Sequence, residues 1–151
     1  MRLGDVLVAV FYLAGGRVES LARLQAVMYM LHRETPLVNT YFETWYTAPW
    51  SEDVEREVEE LARDGSLSAA VDEETGLETY VASRQLMERG AEMYRKIKER
   101  DPYAAHVMRL VVAYGASLPL GRLLPAVRLI YPETARSGMQ RVGLPCTVRK
   151  A

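Results

Sequence analysis

The stretch from Ser51 to Ala82 limits the fold of this chain more than any other. Ser51 has the side chain of a helix N-cap, Glu52 and Asp53 put carboxylates at the positive end of a helix dipole, and Gly65 stands just past the last periodic position. Val54, Val58, Leu61 and Ala62 recur at helical spacing and predict the buried stripe. Glu52 with Arg56 and Glu59 with Arg63 predict i, i+4 ion pairs on the outer side. Next, LSAAV and LETYVAS read as two strands joined by DEETG, where Gly76 supplies the turn, so a sharply bounded helix feeds a β-hairpin with a charged tip.

Upstream, Leu3, Leu7, Val10, Phe11 and Ala14 follow helical periodicity, with Gly15 and Gly16 as the stop. No glycine-rich phosphate motif follows them. The run VESLARLQAVMYMLHRE is apolar nearly all round and predicts a central helix that Pro36 ends. Tyr41, Phe42, Trp45 and Tyr46 alternate as in a strand closed by Pro49, and aromatic residues beside an apolar helix predict core.

Downstream the pattern is helical again. Leu86, Met93, Tyr94 and Ile97 point one way and Arg89, Lys96 and Arg100 another. Asp101 and Pro102 then start a helix whose stripe is Tyr103, Val107, Leu110, Val111 and Tyr114. A last helix carries Leu123, Leu124, Val127, Ile130 and Tyr131, with Pro125 starting or kinking it. From about Thr134 onward Gly, Pro and basic residues lose periodicity and predict a loose, positive tail.

Helix, helix, strand, helix and hairpin is the order of a winged helix-turn-helix domain. The expected class is therefore mainly α with a small β-hairpin, α+β: a winged-helix domain over 1–100, a helical extension over 101–133 and a flexible basic tail over 134–151. Charge complicates this reading. Residues 1–82 hold 6 basic and 15 acidic side chains, whereas residues 83–151 hold 13 basic and 5 acidic, so halves of −9 and +8 lie behind a net charge of −1. The helix before the hairpin, which in this fold usually enters DNA, has seven carboxylates against two arginines between Ser51 and Asp64. Duplex phosphate repels such a surface, and screening over roughly 8 Å does not hide charges in contact.

The segment LARLQAVMYML, followed by YFETWYTAPWSEDVEREVEELARDGSL, resembles archaeal winged-helix proteins with a TRLQKL signature, then Y-x-yGPYS, then a helix ending in glycine before a hairpin. More distantly it is similar to the SocA-like, phage-associated antitoxin group. The likeness spans residues 3 to about 97, and YPET at Tyr131–Thr134 also fits a C-terminal helical piece of such chains. Leu21-Ala22-Arg23-Leu24-Gln25 stands at TRLQ, Ala26 replaces the lysine, and Ala48-Pro49-Trp50-Ser51 replaces GPYS. The resemblance implies regulation, or an antitoxin or adaptor that neutralises or delivers another protein.

Catalysis finds no support in the residue pattern. His32, His106 and Cys146 have no zinc-motif spacing, and no serine or cysteine sits in a nucleophile motif. His106, next to the apolar stripe of its helix, reads as packed or half-buried. The carboxylates around Glu55, Glu57, Glu59 and Glu60 read as a wet face. The expectation is a non-enzymatic protein with no cofactor, no metal and no membrane span. A lone cysteine favours the cytoplasm, and a single asparagine with three glutamines fits a thermophile's avoidance of labile amides.

Two surfaces remain as binding candidates. A transcriptional regulator would contact DNA through Arg89, Arg95, Lys96, Lys98 and Arg100, with Arg136, Arg141, Arg149 and Lys150 of the tail. An interaction module would instead present Glu52, Asp53, Glu55 and Glu59, with Asp72, Glu73 and Glu74 of the turn, to a basic protein or to residues 84–100 of another copy in a homodimer.

Overall fold

Periodicity assigns Val18 and Glu19 to the second helix, but both lie outside it. In the computed structural model, which describes residues 1–45 and 48–136, they belong to a short strand, β1 (Arg17–Glu19). Helix α2 (Leu21–Glu34) starts after Ser20, whose Oγ accepts from the Ala22 amide at 3.0 Å. Strand β1 lies antiparallel to β5 (Glu78–Ala82), with Val18 opposite Tyr80, and β5 also pairs with β4 (Leu67–Val71), giving the order β1-β5-β4. The short strand is specified by a partner far along the chain, which local periodicity does not register.

The chain is mainly helical around this small antiparallel sheet. Helix α1 (Leu3–Leu13) buries every residue from Val6 to Phe11, more than the one-sided stripe predicts. It touches α3 (Glu52–Arg63), α4 (Arg84–Arg100) and α5 (Pro102–Ser117). It meets α4 tightly at Gly90, where a Cβ would lie 2.5 Å from the Val8 carbonyl oxygen. Likewise α5 meets α2 at Gly115, where a Cβ would lie 2.4 Å from Val27 Cγ2. Helix α6 (Leu120–Ile130) runs through Pro125 and packs on α2, and the short α7 (Glu133–Arg136) follows. Leu7, Phe11, Leu24, Met28, Leu86, Met108 and Leu123 belong to one core cluster, centred on α1 and α2.

Several expected details differ. Around the aromatic run lie two paired strands, β2 (Glu43–Trp45) and β3 (Ala48–Trp50), with Pro49 inside the second; Phe42 is buried, Tyr41 and Trp45 are exposed, and Tyr46 lies outside the described residues. Ala62 is exposed, and the ion pairs on α3 are Asp53–Arg56 and Glu60–Arg63 at i, i+3. On α5 the buried residues are Ala104, Ala105, Met108, Val112 and Gly115; of the expected stripe Val111 packs against the core, whereas Tyr103, Leu110 and Tyr114 are exposed. Small residues let α5 sit close to α2, which outweighs burial of the larger ones. His106 is exposed for the same reason, and Ile130 is exposed on α6. Thr134 is not loose: it is 1% exposed and its hydroxyl donates to the Tyr131 carbonyl at 2.8 Å.

That contact belongs to a polar clasp. The Tyr131 hydroxyl donates to Glu34 at 2.7 Å, Arg33 pairs with Glu133 and lies 5.0 Å from the Tyr131 ring centre, and the Tyr29 hydroxyl donates to Glu133. The residues YPET thus fasten the end of α6 to the end of α2. Burial, followed by the bond to Glu34, raises the Tyr131 hydroxyl pKa.

Candidate functional site

Strand alternation on the β2–β3 ribbon builds a cleft. Glu43 pairs with Trp50 and Trp45 with Ala48, so these four share one face while Thr44 and the buried Pro49 share the other. The two indoles meet across the ribbon edge to face, with centroids 5.5 Å apart and planes at 78°. Beyond them Glu52, Glu55, Arg56 and Glu59 project from one side of α3, at the i, i+3, i+4, i+7 spacing of a single helical face. Together they line an open cavity of about 350 Å³ with Glu43, Trp45 and Trp50. Trp50 Nε1 donates to Glu55 Oε1 at 3.2 Å, which ties the ribbon to the helix.

Gln25 sets the angle at which α3 enters this cleft. Fully buried on α2, it donates through Nε2 to the Ser51 carbonyl at 2.9 Å and accepts the Ser51 amide on Oε1 at 2.9 Å. Ser51 Oγ in turn accepts from the Val54 amide, so one side chain holds the junction of β3 and α3. Nearby on α2, Arg23 turns the other way and donates to the carbonyls of Gly115 and Leu118, the latter at 2.6 Å, at the C-terminal end of α5. The residues Arg23-Leu24-Gln25 therefore join three helices.

The cleft is electrostatically one-sided. Among the described residues its one lining cation is Arg56, which bonds Asp53 at 2.9 Å and leaves Glu43, Glu52, Glu55 and Glu59 around the indoles. Asp53 is turned away from the cleft. It accepts from the Thr40 hydroxyl as well as from Arg56, and these contacts, Thr40 first, lower its pKa. The negative field extends onto the sheet: Tyr80 donates to Glu78 at 2.9 Å, and its hydroxyl pKa is raised by burial first, then by Glu78, Glu55 and Glu59.

The other candidates lie elsewhere. Asp72 accepts the amides of Glu74 and Thr75 and shapes the β4–β5 turn; Glu73 and Glu74 are exposed there, and none of the three lines the cleft. On α4, Arg89, Lys96 and Arg100 fall in one row by helical geometry, with Lys98 on the opposite flank and Glu88, Glu92 and Glu99 between. Arg95 is held by Glu92 at 2.7 Å and by Glu99 at 2.6 Å, which leaves it little free charge for a phosphate. Arg136 ends α7, while Arg141, Cys146, Arg149 and Lys150 lie outside the described residues.

Glu43, Trp45 and Trp50 went unrecognised as site residues in the sequence. Their signal was the i, i+2 alternation of Glu43 and Trp45, with Trp50 placed beside them only by the antiparallel pairing of β2 with β3. Among the described residues no group of three His, Cys, Asp or Glu is placed to hold a metal, and no helix is long and apolar enough to cross a membrane. No protein-family model, curated protein or solved structure matches the chain.

Proposed function

We propose that this chain is a non-enzymatic interaction protein on a winged-helix frame, and that the cleft between the β2–β3 ribbon and α3 receives a Lys or Arg side chain from a basic segment of a protein partner. Four carboxylates and two tryptophans around a space whose only cation among the described residues is already paired carry this reading. An indole face attracts a cation by about 0.5–1 kcal/mol at an exposed site and more when water is excluded. The carboxylates supply the longer-range attraction that speeds encounter. Two helices before α3, and a hairpin directly after it, support the winged-helix frame. On that frame α3 keeps the usual place of a DNA-reading helix but offers the wrong sign of charge to phosphate.

The test is a tryptophan-fluorescence titration of the whole chain with a short Lys/Arg-rich peptide and, separately, with duplex DNA, at low and at physiological salt. The expected result is peptide binding that weakens with salt, falls at least tenfold in the double variant Glu55→Gln, Glu59→Gln, and falls further in Trp45→Ala. Duplex binding indifferent to those changes but lost in Lys96→Glu, Lys98→Glu would replace this reading with DNA regulation through the basic half.

A further inference from the structure

A second cavity, of about 310 Å³, lies where α1, β1, α2 and α5 come together, and it shares no lining residue with the tryptophan cleft. Its inner wall is apolar: Val10, Val18, Leu24, Val27 and Val112 line it, each no more than 5% exposed. Its lip is charged, with Arg17 and Glu19 both exposed and 4.0 Å apart. Arg23 lines the same cavity and is only 8% exposed. Burying a charge is costly unless it is paired and hydrogen-bonded. Among the described residues no carboxylate pairs with Arg23; its acceptors are the carbonyls of Glu19, at 3.2 Å, and of Gly115 and Leu118. A guanidinium carries one N–H donor on Nε and two on each terminal nitrogen. The Glu19 bond uses Nε and the other two use Nη1, so both donors of Nη2 are left without a partner among the described residues. Capping the end of α5 therefore accounts for Nη1 only. A helix C-terminus also supplies only about half a negative charge, which leaves much of the buried cation uncompensated.

We propose that this cavity binds a small amphipathic monocarboxylate, its oxygens on Nη2 of Arg23 and its hydrocarbon part against Leu24 and the valines. Charge selects the head group. The lining holds Arg17 and Arg23 against Glu19, a surplus of one positive charge. A monoanion cancels that surplus and gives the buried guanidinium the charge-assisted partner it lacks. A dianionic phosphate would bring a second charge toward Glu19 with nothing to meet it, and a neutral molecule would leave the cation as it is. The wall selects the body, since burial of hydrocarbon against it removes apolar surface from water. Size follows from the volume: at roughly 30 Å³ for a water-sized group, the cavity takes about ten non-hydrogen atoms, the count of an eight-carbon fatty acid. That volume falls at the small end of the ~300–1,000 Å³ range of small-molecule sites.

Isothermal titration calorimetry and thermal melts of the full chain with octanoate, octanol and acetate test the head and the body separately. Octanoate is expected to bind saturably, one per chain, with a Kd below about 1 mM, and to raise the melting temperature as its concentration passes that value. Octanol, which has the chain without the charge, and acetate, which has the charge without the chain, should each bind at least tenfold more weakly. Arg23→Met should abolish octanoate binding, but Arg23 also caps α5, so a variant that spares the cap accompanies it. Ala116→Trp, at an exposed position of the lining, should fill the cavity and abolish octanoate binding while the circular-dichroism melt of the chain alone stays unchanged. Failure of octanoate to bind saturably or to raise the melting temperature at concentrations up to about 10 mM overturns the proposal. Octanol binding as tightly as octanoate, or octanoate binding untouched by Ala116→Trp, overturns it as well.

Discussion

Replacing Gln25 by glutamate should convert an internal brace into a pH-dependent one. The amide makes two bonds of 2.9 Å to Ser51, one as donor and one as acceptor, in a fully buried position. Each contributes about 1 kcal/mol net, and leaving a buried N–H or C=O unpaired costs about 1–3 kcal/mol. Gln25→Ala removes both partners and should therefore destabilise the chain by roughly 3–4 kcal/mol. In Gln25→Glu, the protonated carboxyl reproduces the amide: its O–H donates to the Ser51 carbonyl and its other oxygen accepts the Ser51 amide. Once ionised, the new side chain confronts that carbonyl with a second acceptor in a fully buried site, so its folded pKa lies above the unfolded value of about 4.3. A raised folded pKa means stability that is present below the unfolded pKa and is lost as pH rises through the folded one, with a slope of about 1.4 kcal/mol per pH unit between the two. Urea unfolding of Gln25→Glu and of the parent, followed by circular dichroism from pH 4 to pH 7.5, should show a difference within about 1 kcal/mol at pH 4 that widens to at least about 3 kcal/mol at pH 7. A difference that does not vary with pH would refute the reasoning, and so would a Gln25→Ala variant within about 1 kcal/mol of the parent.

Three other outcomes follow from the same geometry. Arg23→Met keeps the bulk but removes the guanidinium from the Gly115 and Leu118 carbonyls, and should cost about 2–4 kcal/mol in urea unfolding. Gly90→Ala and Gly115→Ala drive a methyl onto the Val8 carbonyl and onto Val27 Cγ2 respectively; each should lower stability by about 1–3 kcal/mol, Gly90 more because backbone yields less than a side chain. Thr40→Val removes the largest cause of the depressed Asp53 pKa, so the Asp53 titration seen by NMR should move upward. Because a depressed carboxylate stabilises the fold above its unfolded pKa, this variant should also lose less stability than the parent as pH falls through that range.

Much of the fold was legible because its boundaries are local. Ser51, Asp101 and Pro102 are caps or first-turn residues whose chemistry acts within four positions, and the helices begin where they predict. Gly76 marks the β4–β5 turn for a similar reason. What escaped depends on distance. Strand β1 exists only against β5, and the inward face of α5 was decided by how near its small residues let it come to α2. Periodicity groups the large apolar residues of α5, but it does not show that the smaller Ala104, Ala105 and Gly115 face the core instead of Tyr103, Leu110 and Tyr114.

The candidate site shows the same division. The carboxylates of α3 stand in plain view in the sequence, and a charged helix face is ordinarily just solvated. Their significance comes from Trp50 and from Trp45, which reads as core because aromatic residues beside an apolar helix usually are. Pro49 reverses that assignment. It occupies the buried face of the ribbon, and strand alternation then turns Trp50 and, across the pair, Glu43 and Trp45 toward α3. The ribbon thereby holds two indoles against a negative helix face. Gln25 keeps that face at a fixed angle through Ser51, so loosening the brace should weaken capture of a cation even where the carboxylates and tryptophans are all retained.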